Sequence, residues 1–186
     1  MIGKKNIVFG FAFLLLTASL GPYMVETVLP EIGAAAAGKQ QAVGELQLME
    51  SNDFEQDLEP MTADAIARAN TRGILAINGY LNQLGIAGDI KGGPHAHGNL
   101  ESLLNIVVGM LLCFLGVGTL FKQIISWAFI LGTLLHSGAL YLLVVFQIGW
   151  AGQILATGIG PIVLLIGLIL AAVASAIGFR GKPVED

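Results

Sequence analysis

Four long apolar runs constrain this chain more than any other feature. Residues 7–25, 100–121, 124–146 and 153–179 each match or exceed the roughly 20 residues that a helix needs to cross a bilayer core. Glu101 is the single Asp, Glu, Lys or Arg among them. Composition agrees: of 186 residues 55% are hydrophobic and 12% charged, against about 25% charged in an ordinary soluble domain. The expected class is all-α and integral to the membrane, a four-transmembrane-helix bundle with an outward-facing, partly helical segment between helices 1 and 2. The boundaries are 1–29 for the first helix, 30–93 for an acidic and amphipathic extracytoplasmic segment, 94–180 for a three-helix membrane region and 181–186 for a tail. The first run also fits a cleaved signal peptide. The A-x-A-like stretch at 34–37 lies well past its apolar core, however, which favours a retained helix.

Charge sets the orientation. With four spans, Lys4, Lys5, Lys122, Arg180 and Lys182 all fall on one side, which the positive-inside rule makes the cytoplasm. Both termini are then cytoplasmic, in what is expected to be a bacterial inner (plasma) membrane. Glu45, Glu50, Asp53, Glu55, Asp57, Glu59 and Asp64 fall on the other side and dominate the net charge of -4, which gives nucleic-acid binding no support. Their spacing matches no calcium loop and reads as a solvated surface. Residues 34–43 read as a linker. Residues 62–84 read as an amphipathic helix capped by Thr62, lying on the membrane or over the bundle mouth. The glycine-rich stretch 85–94 reads as a flexible entry to the histidine pair, His95 and His97. Cys113, the one cysteine, lies in an apolar run, which excludes an internal disulfide and a cysteine zinc site and makes it a packing residue.

The chemistry gathers at 94–105, PHAHGNLESLLN. His97, Glu101 and Asn105 are four apart and form one polar stripe on an otherwise apolar helix. In lipid such a stripe is costly unless it faces protein, water, a metal or a cofactor. His95, two residues from His97, cannot share its direction on one regular helix. His136 lies on the next span, beside the small residues Gly132, Thr133, Gly138 and Ala139, which admit a close helix or a flat cofactor. Counted from the outer ends of the runs, Asn105 and His136 lie at similar depth, with Tyr141 nearer the level of Glu101. The same count separates His97 from His136 by about 15 Å. Histidines with a carboxylate suit zinc, copper or iron.

A tetra-helical membrane protein with Ala96-His97 heading its second span resembles styrene oxide isomerase. It is also similar to small HAH-bearing four-helix proteins likened to haem-copper oxidase subunits. An asparagine lower on that span, a tyrosine late in span three and Gly160-Pro161 opening span four extend the resemblance. It implies haem b with His97 as axial ligand, carried between subunits of an oligomer. It also implies an iron that acts as a Lewis acid on a small apolar substrate, assisted by Asn105 and Tyr141. His95, Glu101 and His136 complete the candidate cofactor-binding set. The alternative is a non-catalytic accessory subunit of a larger membrane complex, docked through the acidic segment. A cation or solute transporter is less supported, since there is no internal repeat and a single carboxylate lies on a span.

Overall fold

A computed structural model describes residues 2–182, so most of the expected tail, 181–186, lies outside the described residues. The helices are α1 (Gly3–Ala18), α2 (Leu20–Tyr23), α3 (Leu29–Ser51), α4 (Ala63–Ile90), α5 (Gly98–Leu112), α6 (Thr119–Thr133), α7 (Ala139–Val144), α8 (Gly149–Ala156) and α9 (Ile159–Gly178). Three π-helical segments interrupt them, at Met24–Val28, Lys91–His97 and Leu134–Gly138. Strands β1 (Glu55–Gln56) and β2 (Glu59–Pro60) pair antiparallel in a small hairpin. The chain is 84% helical, so the all-α class holds. Three helical runs are long and apolar enough to cross a membrane: Gly3–Ser51, Thr119–Val144 and Ile159–Gly178. The chain forms two compact units, one of Met1–Gly21 with Asp89–Asp186 and one of Pro22–Gly88.

In the first unit α1 lies antiparallel to α5 at very short range. Its buried residues, Gly3, Asn6, Gly10, Phe13 and Thr17, recur at alternating spacings of three and four, the seam of a left-handed helix pair. A Cβ on Gly109 would stand 2.7 Å from the Gly3 carbonyl oxygen, and one on Gly98 2.4 Å from the Thr17 side chain. Helices α6 and α9 cross closely as well, with Leu164 against Gly132 and Phe129 against Gly167. Ile125, Phe129, Leu112, Leu115, Leu164 and Ala174 fill the core between these pairs.

Several expected boundaries move. The second apolar run does not stay helical to 121, because α5 ends at Leu112 after 15 residues. The turn expected at Lys122–Gln123 falls instead at 113–118, where Leu115 bridges Phe179, the Arg180 N–H donates to the Phe114 carbonyl at 2.8 Å and the Gly116 N–H to that of Gly178 at 2.6 Å. Apolar continuity masks this break in the sequence. Lys122 is instead buried in the first turn of α6. The fourth run is split at Gly158, whose φ of 66° suits glycine, into α8 and α9. Basic residues do gather at one end of the bundle. Lys5 Nζ donates to Gln123 Oε1 at 2.5 Å and lies 4.2 Å from the Trp127 ring centroid, while Arg180 packs on Gly116.

The second unit is a helical hairpin. Residues 34–43, expected as a linker, belong to α3, since their alanines are strong helix formers. Thr62 caps α4 as expected, its hydroxyl accepting the Ala65 N–H at 3.2 Å, and the helix runs past the expected end at 84 to Ile90. The partner of α4 within this unit is α3: Leu46 rests on Gly73, and Lys39 Nζ lies 4.1 Å from the Tyr80 ring centroid.

Candidate metal site

Two of the three π-helical segments carry the histidines. His97 ends Lys91–His97 and His136 is central to Leu134–Gly138. The extra residue in a π turn re-aims the side chains after it, and such turns recur at functional sites. The stretch before His97, expected to be flexible, is helical except for a kink at Gly93, where ψ is -107°.

The two rings meet edge to face with centroids 4.9 Å apart. This corrects the separation of about 15 Å expected from the apolar runs. The hairpin closes at 113–118, about six residues before the expected turn, which shortens α5 below His97 and lengthens α6 below His136 alike, so His136 rises relative to α5 by about 18 Å. It faces His97 and Glu101 instead of Asn105. His136 Nδ1 lies 2.5 Å from Glu101 Oε1, and the two nitrogens and the carboxylate oxygen of the trio fall within 4.8 Å of one another. Glu101 is 4% exposed. Its second oxygen, Oε2, is buried and has no hydrogen-bond partner, as does Ser137 Oγ. A buried carboxylate with one oxygen unsatisfied is expensive, and a cation at the trio would answer that cost. His97 is exposed, which leaves one side of the trio open.

The remaining candidates lie elsewhere. His95 turns away from His97, as their spacing requires, and its Nδ1 pairs with the Thr17 carbonyl at 3.0 Å. Asn105 is fully buried. Its Nδ2 donates to the Glu101 carbonyl and to Thr133 Oγ1 at 3.0 and 2.9 Å, and its Oδ1 accepts from Asn6 Nδ2 at 3.0 Å. Asn6 also donates to the Ser126 carbonyl at 3.0 Å and accepts from the Ser126 hydroxyl. Asn105 thus belongs to an amide and hydroxyl network joining α1, α5 and α6. Tyr141 packs its ring 5.7 Å from that of Phe146 and is not among the three clustered groups. Asn6 and Ser126 do not stand out in the sequence. The repeat Gly3, Asn6, Gly10, Phe13, Thr17 is the signal that could have found Asn6.

Compared with protein-family models, curated proteins and solved structures, the chain shows no match. Its chemistry therefore has to be read from the site.

Haem can be tested against the geometry. With metal–nitrogen bonds near 2.0 Å, two imidazoles on opposite faces of one iron hold their centroids about 6 Å apart, whereas two on adjacent positions hold them about 4.5–5 Å apart. The observed 4.9 Å suits adjacent positions. The small-residue slot is filled as well: Leu164 occupies the space at Gly132, and a Cβ on Gly160 would stand 2.7 Å from the His136 backbone nitrogen. Helix α9, not a flat cofactor, takes that space. A haem held between His97 and His136 does not fit; the exposed side of His97 is left open.

Proposed function

We propose that this chain is a four-span integral membrane metalloprotein, with a single transition-metal ion held by His97, Glu101 and His136 near the outer mouth of the bundle. The observation that carries this reading is the clustering of two imidazoles on a buried carboxylate, with Glu101 Oε2 unpartnered. Two histidines and one carboxylate on one side of an ion leave further positions free, the arrangement of non-haem iron sites and of catalytic zinc sites. A metal bound there supplies a Lewis acid or a redox centre to a small ligand arriving on the exposed side of His97.

The fourth span in this reading is α5 with the π turn before it, matched along its length by α1. The grouping of Lys5, Lys122 and Arg180 at the opposite end from the site supports cytoplasmic termini, as in a bacterial plasma membrane. The exposure of His97 favours one second reading, a haem b bound through His97 alone on the outer surface of the bundle and shared with a neighbouring subunit.

Metal analysis and absorption spectra of the full chain, purified in detergent without added chelator, separate these readings. One equivalent of a transition metal, lost in His97→Ala, Glu101→Gln and His136→Ala while helical circular dichroism persists, is the expected result. A Soret band abolished by His97→Ala and indifferent to His136→Ala supports the haem reading instead. No metal and no haem, or metal unaffected by all three substitutions, overturns both.

A further inference from the structure

The helical hairpin of the second unit carries a second seam that nothing in the unit covers. The inner seam of α4 within this unit is Ile66, Ala69, Gly73, Ala76, Tyr80, Gln83 and Ala87, spaced alternately by three and four, with Gly73 and Tyr80 meeting Leu46 and Lys39 of α3. Displaced from it by one residue, Ile74, Ile77, Leu81 and Leu84 repeat the same spacing and are 61, 38, 55 and 40% exposed. Across the groove α3 presents Ala36, Gln40, Val43 and Gln47, which with Ile77 and Lys39 line a concavity of about 500 Å³. A helix with one apolar stripe packs on one neighbour; a helix with two adjacent stripes is built for two.

We infer that this side of the hairpin is the interface with the hairpin of a second copy of the chain, the two together making a four-helix bundle. Charge and area select that occupant. From Gly73 to Gly88, α4 holds no charged residue. By helical position, Glu31, Glu45, Asp64, Arg68 and Arg72 lie off this side, Glu50 continues the row of Gln40, Val43 and Gln47 only at its far end, and Lys39, which lines the groove, is held over the Tyr80 ring. Two copies related by a twofold axis perpendicular to the hairpin therefore meet with no like charges opposed, each Glu50 falling at the opposite end of the row from its mate. The four stripe side chains of α4 leave about 400 Å² exposed, half of the roughly 800 Å² that each partner of a standard interface buries, and the α3 flank adds to it. The inference is independent of the metal site.

Cysteine cross-linking of the full chain in detergent tests it. In a Cys113→Ser background, Ile77→Cys or Leu81→Cys forms a disulfide-linked dimer on mild oxidation, at least tenfold faster than Gln41→Cys on the opposite flank of α3. Light scattering corrected for detergent gives a mass of two chains for the wild type and one for Ile77→Lys/Leu81→Lys, with helicity kept. Three results would overturn the inference: a monomeric wild type, cross-linking of Ile77→Cys and Leu81→Cys no faster than that of Gln41→Cys, or a dimer that survives the double lysine substitution. Association that needs a different, basic protein and dissolves as salt rises would assign the groove to that partner instead.

Discussion

The α1–α5 pair and the α3–α4 pair share one periodicity and use it in opposite ways. Both repeat their inward residues at spacings of three and four. Between α1 and α5 the repeat is built from glycine, asparagine and threonine, and backbone meets backbone, with Gly109 against the Gly3 carbonyl oxygen. Between α3 and α4 it is built from alanines and longer side chains, and the contacts run through side-chain ends, such as Leu46 on Gly73 and Lys39 over Tyr80. The difference follows from the solvent that each unit is read as meeting. Lipid gives no hydrophobic gain for pairing apolar helices, so close van der Waals contact and interhelical hydrogen bonds must hold them. In water, burial of apolar surface drives pairing, and a looser seam is enough.

Glycine substitutions break that comparison most sharply. Gly109→Ala sets a Cβ against immovable backbone, and the membrane unit should lose about 3 kcal/mol or more, read as a fall in the thermal midpoint of the detergent-solubilised protein. Gly73→Ala meets the flexible end of Leu46, at 2.6 Å from Cδ1, which can swing aside. With a helix-propensity gain of up to about 1 kcal/mol, its midpoint should hold or rise. Equal losses at the two glycines would erase the distinction.

The polar network comes next in size. Asn6→Leu leaves the Asn105 carbonyl and the Ser126 hydroxyl without their buried partner, a loss of about 1–3 kcal/mol by denaturation in detergent. Asn6→Leu/Asn105→Leu should cost less than the sum of the two single changes, because neither orphans the other. The smallest effect belongs to the outer pair. Tyr80→Leu removes the ring beneath Lys39 and should cost about 0.5–1 kcal/mol in the helical hairpin alone, with metal content unchanged.

Much of this is legible in the sequence, and the misses share a cause. Apolar runs identify helices that suit a membrane, but they do not mark where a helix stops inside an apolar stretch. The break at 113–118 is made by backbone pairing with 178–180, a long-range contact that no local pattern carries. Its displacement shifts the depth of His136, so the runs alone place the trio of His97, Glu101 and His136 at two separate levels. The stripe of His97, Glu101 and Asn105 is visible, because helical spacing is local. That Asn105 joins α1 while Glu101 faces His136 is not, because it depends on which neighbour each face meets. Thr62 as a cap is visible for the same local reason. The alanines of 34–43 read as a linker for their blandness, although that is what suits them to helix.

The metal trio is the central claim, and X-ray absorption at the edge of the bound metal tests it most directly. The account predicts a first shell of nitrogen and oxygen near 2.0–2.1 Å with outer-shell scattering from two imidazoles. An all-oxygen shell without imidazole scattering would contradict it, and a porphyrin pattern would do so equally.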